Sequence, residues 1–158
     1  MIKDFARRIF LQGGAPLPIR PPWALPENEF IARCNRCGDC LSDCPQQILE
    51  PDRAGYPQVN FAKGECTFCG ACLRLCHAEA LVVLAGAPPW QRKALITETC
   101  LNVRGIQCRT CAEQCEQQAI IFRPSPGGRT LPQLAMDQCN GCGACYRVCP
   151  VGAVSLST

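Results

Sequence analysis

The chain has 158 residues, a formal net charge of +3 and 47 % hydrophobic residues, but 16 of those residues are cysteine. Setting the cysteines aside leaves about 37 % apolar residues, too lean for units of 60 to 70 residues to fold on a hydrocarbon core alone. The near-neutral balance speaks against a nucleic-acid binder, and no apolar run reaches bilayer length, since Ala78 to Ala87 is short and interrupted by Glu79.

At the N-terminus, Ala6-Arg7-Arg8-Ile9-Phe10-Leu11 resembles a twin-arginine export signal. Gln12-Gly13-Gly14-Ala15-Pro16 follows in place of an apolar segment and a cleavage site, so the tail is expected to be retained in a cytoplasmic protein, where thiols stay reduced. Ile2, Phe5, Ala6, Ile9 and Phe10 recur at helical spacing, which predicts an amphipathic helix. Such a helix either packs on its own domain or docks a partner protein. The proline-rich stretch 12–29 reads as an extended linker.

Four cysteine runs follow. Cys34-Cys37-Cys40-Cys44, Cys66-Cys69-Cys72-Cys76 and Cys139-Cys142-Cys145-Cys149 share the spacing C-x2-C-x2-C-x3-C. Cys100-Cys108-Cys111-Cys115 keeps the last two gaps but widens the first to seven residues. Disulfides are the ordinary reading of a cysteine-rich short chain, and paired C-x2-C hooks also make zinc sites. Cysteines two residues apart on a turn are badly placed to bridge one another, and zinc has no use for a third thiol two residues on. A [4Fe-4S] cubane takes three thiolates from one turning loop and a fourth from a distant position, so all sixteen cysteines serve as metal ligands of four clusters with none left over. Four oxidised cores bring about +8 and their thiolates about −16, which moves the formal charge of +3 to about −5.

Repetition organises the rest. Pro21-Pro22-Trp23 precedes the first run as Pro88-Pro89-Trp90 precedes the third, and Tyr56-Pro57-Gln58-Val59 precedes the second as Leu131-Pro132-Gln133-Leu134 precedes the fourth. The predicted organisation is a tail and linker at 1–20, a two-cluster unit at 21–87 and a second at 88–158. The fold class is α+β, a tandem duplication of a two-cluster ferredoxin fold with small strands and short helices around the clusters.

Hairpins are expected where Asp52-Arg53-Ala54-Gly55 separates Ile48-Leu49 from Val59-Asn60-Phe61, and where Pro124-Ser125-Pro126-Gly127-Gly128 separates Ala119–Phe122 from Leu131–Met136. A strand at Ala94–Thr97 leads into the third run, and a short helical turn is expected after each fourth cysteine, as at Cys149-Pro150-Val151. Gly38, Gly70 and Gly143 follow a second cysteine, where the backbone must curl and aim N–H groups at sulfur. The third run has Arg109-Thr110 there instead, which together with its wide gap marks its cluster as the atypical one, expected to be exposed or labile.

In two-cluster ferredoxins the fourth cysteine of a run ligates the other run's cluster. Sequential pairing of runs gives Cys34, Cys37, Cys40 with Cys76; Cys66, Cys69, Cys72 with Cys44; Cys100, Cys108, Cys111 with Cys149; and Cys139, Cys142, Cys145 with Cys115. Pairing run one with four and two with three is the alternative. His77, the single histidine, stands after a fourth cysteine and reads as a capping or surface residue. No nucleophile set, phosphate loop or open metal position accompanies these motifs, so the chain is not expected to be an enzyme.

The Arg-Arg tail, Arg20-Pro21-Pro22-Trp23, the four cysteine motifs, the Cys100-x7-Cys108 gap and Ala119-Ile120-Ile121-Phe122-Arg123-Pro124 together resemble NapF, the family of ferredoxin-type proteins of periplasmic nitrate reductase systems. The resemblance implies a cytoplasmic protein with four [4Fe-4S] clusters that contacts the molybdoenzyme catalytic subunit NapA before export and assists its maturation. A general electron-transfer ferredoxin is the other class the motifs fit.

Overall fold

The computed structural model describes residues 18–157. The amphipathic helix expected at the N-terminus lies outside those residues. Two similar halves follow one another, each built from short helices and two-stranded sheets.

The first half begins at Arg20, whose guanidinium is buried against the ring faces of Phe30 and Tyr56 at 5.0 and 5.6 Å. It pairs with Glu27 at 2.7 Å and Asp52 at 2.9 Å and donates to the Pro57 carbonyl at 3.1 Å. Burial opposes this charge, but the hydrogen bonds and charges of Glu27 and then Asp52 outweigh it and raise the Arg20 pKa. Pro21 and Pro22 are fully buried. The linker expected at 12–29 is therefore corrected from residue 18 onward. A chain folded around a buried cation is part of the domain, and helix α1 (Glu27–Arg33) already starts within the predicted linker. Glu27 and Glu29 in its first turn and Arg33 in its last complement the helix dipole, and Phe30 enters the core.

Helix α2 (Asp39–Ser42) carries the third cysteine of run one. Strands β1 (Leu49–Pro51) and β2 (Pro57–Val59) pair antiparallel, with Leu49 opposite Val59. Asp52 closes this hairpin, its carboxylate accepting from the backbone N–H of Ala54 at 2.8 Å and of Tyr56 at 3.0 Å. Helix α3 (Ala71–Arg74) carries the third cysteine of run two, and a single bridge, Ala24 with Leu81, joins the start of this half to its end.

In the second half, β3 (Ala94–Ile96) pairs with the closing strand β6 (Val154–Leu156), the enlarged counterpart of that bridge. Between them lie helix α4 (Thr110–Glu113), the hairpin of β4 (Ile120–Ser125) and β5 (Arg129–Leu134), and helix α5 (Ala144–Arg147). The second turn is tighter than expected. Pro124 and Ser125 pair with Thr130 and Arg129, leaving 126–128 as the loop.

The helical turn expected after each fourth cysteine is also corrected, because the helices lie before it and enclose the third cysteine of each run. Three residues beyond each fourth cysteine the backbone enters the left-handed region, at Gln47 (φ 51°), Glu79 (52°), Gln118 (50°) and Gly152 (61°). A residue there stops a right-handed helix and leaves a tight turn.

The two cores differ. The first is hydrocarbon, with Phe30, Ile48, Leu49, Val59, Phe61 and Leu81 buried together. In the second, Cys111, Cys139 and Cys145 are buried beside only Ala94, Ala119, Ile120 and Val154.

Candidate metal centres

Each helical turn begins where the chain reverses. Gly38, Gly70 and Gly143 hold φ of 88°, 75° and 85° at the entry to α2, α3 and α5, a conformation that costs a side-chain-bearing residue about 1–2 kcal/mol. The reversal carries the second cysteine of the run outside the helix and the third onto its first turn. At α4 the entry residue is Arg109 with φ −129°, and the loop is built differently.

That loop replaces the missing local spacing with a folded excursion. Arg104 N–H donates to the Cys100 carbonyl and Gly105 N–H to the Asn102 carbonyl, both at 3.1 Å, which curls 100–105 into a compact turn. Asn102 is only 4 % exposed. Its amide donates to the Cys108 carbonyl and its oxygen accepts from the Thr130 hydroxyl, both at 3.0 Å. The excursion is thus pinned to β5, and Cys100 is buried. The exposure expected at this site is not what the structure shows. The most open set is Cys34, Cys37, Cys40 and Cys76, in which Cys37 is exposed and the other three are half-buried.

None of the sixteen cysteines is joined in a disulfide, and they surround four cavities, four to each. Cys34, Cys37, Cys40 and Cys76 line the first, and Cys44, Cys66, Cys69 and Cys72 the second. Cys100, Cys108, Cys111 and Cys149 line the third, and Cys115, Cys139, Cys142 and Cys145 the fourth. In every case three thiols come from one run and the fourth from its sequential neighbour, so the grouping of run one with four and two with three is not formed. His77 is exposed at the rim of the first cavity.

The donor set of these quartets narrows the metal. Tetrahedral zinc at about 2.3 Å from each sulfur draws its ligands to about 3.8 Å from one another. Among the described residues no three His, Cys, Asp or Glu side chains close around a single ion in that way. Four thiols line each cavity, and soft thiolates are the donors that select iron–sulfur clusters.

Electrostatics point the same way. Burial pushes the Cys40, Cys72 and Cys145 thiols up to about 12, helped at Cys40 by Cys72 and at Cys145 by Cys142. Burial likewise raises Cys66 and Cys111 to about 11 and raises Cys142. Four thiolates gathered in one half-buried space repel one another, and a cationic core at their centre removes that repulsion. Backbone N–H groups already face sulfur, from Phe68 to Cys66 and from Ala119 to Cys115 at 3.4 Å, and from Ala153 to Cys149 at 3.1 Å. Such bonds stabilise thiolate charge and help set cluster potentials.

A profile of the 4Fe-4S dicluster domain matches residues 33–80 and again 104–153. The first match spans all eight cysteines of its half, whereas the second begins beyond Cys100, where the extra turn departs from the common spacing. The chain is 42 % identical to the ferredoxin-type protein NapF of Escherichia coli K12, over 96 % of this chain and 94 % of that protein. The chain belongs to the NapF family of ferredoxin-type proteins. Within that family it is 45 % identical to NapF of Haemophilus influenzae over 88 % of this chain and 78 % of that one. The methylamine utilization ferredoxin-type protein MauM of Methylobacillus flagellatus is 32 % identical over 87 % of this chain and 66 % of its own length. Two dicluster domains in a NapF-family chain identify an iron–sulfur protein with [4Fe-4S] centres.

Several contributors carried no sequence signal of their role. Asn102 and Phe68 are spacers between motif cysteines, Arg20 falls within the predicted linker, and Phe61 ends a predicted strand. The Pro-Pro-Trp repeat did hold a clue to what Trp90 does.

Proposed function

We propose that this protein carries four [4Fe-4S] clusters on its sixteen cysteines, in two units at 21–87 and 88–158, and assists maturation of the nitrate reductase catalytic subunit NapA in the cytoplasm before export. The reading rests chiefly on the near full-length relationship to ferredoxin-type NapF proteins. The four all-cysteine cavities support the cluster count. Among the described residues no helix is long and apolar enough to cross a membrane.

Each cluster supplies reversible one-electron chemistry when bound. The chain's own residues hold it. Three thiolates per loop fix its near corners, the neighbouring run closes the fourth, and the N–H groups of Phe68, Ala119 and Ala153 stabilise sulfur charge. A general electron-transfer ferredoxin is the second reading, favoured by the direct contact between loops of the two halves.

Incubating iron-57-labelled holo-protein anaerobically with unlabelled apo NapA, then separating the two for Mössbauer spectroscopy, decides between them. Label in NapA establishes delivery. Label that stays put while an existing NapA centre becomes reduced makes the protein an electron donor. Deleting residues 1–12 should abolish capture of NapA with cluster content intact, and unchanged capture rules out docking by the tail.

A further inference from the structure

The contacts that join the halves gather on two of the four cavities. The Cys66 backbone N–H, at the second cavity, donates to the Cys142 carbonyl, at the fourth, over 2.8 Å. Trp90 meets Phe61 edge-on at 5.9 Å and Phe68 at 5.5 Å, and its indole N–H donates to the Asn140 carbonyl at 2.8 Å. Phe68 lines the second cavity and Asn140 the fourth. Gly143, also at the fourth cavity, lies against the Phe61 ring so closely that a Cβ would overlap it. Even the Pro-Pro-Trp repeats take part, since Trp23 of the second cavity's wall donates its backbone N–H to the Pro89 carbonyl at 2.6 Å.

Inside each half a different pair of cavities adjoins. Helix α2, bearing Cys40, packs on α3, bearing Cys72, and α4, bearing Cys111, packs on α5, bearing Cys145. The spatial order therefore departs from the chain order.

We propose that the cysteine quartets form one line in the order first, second, fourth, third, and that Trp90, Phe61 and Gly143 are positioning residues that hold the inner two clusters adjacent across the junction. The proposal rests on the four-cluster reading above. A protein in which both halves merely fold on a shared linker would have two independent cluster pairs. Here the inner loops share a backbone hydrogen bond, so the pairs join into one four-centre path with an outer quartet at either end. Passage across the junction is a one-electron exchange in which one inner centre is oxidised as the other is reduced, with no proton or co-reactant.

The test reads magnetic coupling in the dithionite-reduced holo-protein by electron paramagnetic resonance at two microwave frequencies. A variant emptied at the outer quartets (C34A/C37A/C100A/C108A) keeps the inner pair, and one emptied at the inner quartets (C66A/C69A/C139A/C142A) keeps the outer pair. Each should lose half the iron. The inner pair should show frequency-independent splitting, and the outer pair should give isolated spectra. Isolated spectra from the inner pair, or splitting from the outer pair, overturn the proposal. Trp90→Ala, with its full iron content, should weaken the splitting while Trp90→Phe restores most of it; splitting unchanged in Trp90→Ala removes Trp90 from the positioning role. Should the quadruple variants lose all their iron, the Trp90 pair carries the test in the otherwise native chain. Iron analysis separates the two readings. A native protein with about eight iron atoms in place of about sixteen fails the four-cluster reading itself, whereas full iron with a silent inner pair fails only the junction.

Discussion

Gly38, Gly70 and Gly143 occupy one conformation in three environments, and replacing each by alanine separates backbone strain from packing. All three have φ between 75° and 88°, so each substitution carries the same left-handed penalty of about 1–2 kcal/mol. At Gly38 a Cβ meets nothing within 4 Å, and at Gly70 its nearest neighbour is the mobile end of Arg74 at 3.3 Å. At Gly143 it would enter the Phe61 ring, which is 4 % exposed and held between Trp90 and Tyr146. Overpacking of that kind adds about 1–3 kcal/mol, which brings Gly143→Ala to about 2–5 kcal/mol. Unfolding that releases clusters is irreversible, so the measure is the rate at which visible cluster absorbance decays in guanidinium. Gly143→Ala should decay roughly 5- to 150-fold faster than Gly38→Ala, the factor that 1–3 kcal/mol implies. Gly70→Ala should match Gly38→Ala. In a Phe61→Ala background the excess at Gly143 should vanish, since the obstacle is gone. Equal decay of Gly38→Ala and Gly143→Ala in the native background would refute the close approach of the two halves.

Arg20→Ala breaks a largely buried ion-pair group and leaves Asp52 and Glu27 without their cation. With Glu27 partly open to solvent, the cost should lie near the low end for such pairs, about 3 kcal/mol, read as faster cluster loss and a lower unfolding midpoint; a change below about 0.5 kcal/mol would refute the role. Asn102→Ala removes the partners of the Cys108 carbonyl and the Thr130 hydroxyl and should cost about 1–3 kcal/mol. Chelators should then strip one cluster in four ahead of the others, and uniform loss would count against the pinned turn. Complete cluster removal should leave the chain largely unfolded, with amide protection in 94–156 collapsing before that of the Phe30–Phe61 core; native-like chemical-shift dispersion in the cluster-free protein would contradict this.

The cysteine spacing made the metal chemistry legible because a cubane constrains sequence locally. Three thiols must come from one tight loop, and the glycine after the second cysteine is the cost of that loop's reversal. Both hairpins were legible for a similar reason, since Asp52–Gly55 and Pro126–Gly128 are local turn chemistry. The quartet grouping was harder. Spacing allowed two pairings of runs, and it is the packing of α2 on α3 and α4 on α5 that settles which thiols meet. What escaped was set by tertiary context. Arg20 and its prolines read as linker because buried charge has no local signature, and its partner Asp52 lies 32 residues away. The helical turns were placed after the fourth cysteines because Pro150 suits a helix start, yet left-handed residues at Gln47, Glu79, Gln118 and Gly152 preclude one there. The Cys100 gap looked like a weakness, and Asn102 turns it into a buried, hydrogen-bonded loop.

The contrast between the two cores ties these observations together. The first half buries Phe30, Ile48, Phe61 and Leu81 and holds an ion-paired arginine, so much of its cohesion comes from the chain itself. Beside Ile120 and Val154 the second half buries chiefly alanines and cysteines, and its thiols are pushed upward chiefly by burial, so without metal they are small weakly polar groups around a space. Filling that space converts mutual thiolate repulsion into attraction for a common core and supplies the volume that side chains lack. The junction then has an asymmetric logic. Phe61, from the better-packed half, presses on Gly143 in the half that depends on metal, and Trp90 ties the Asn140 loop to Phe61 and Phe68. A half that owes its order to its clusters is thereby held in register against one that does not.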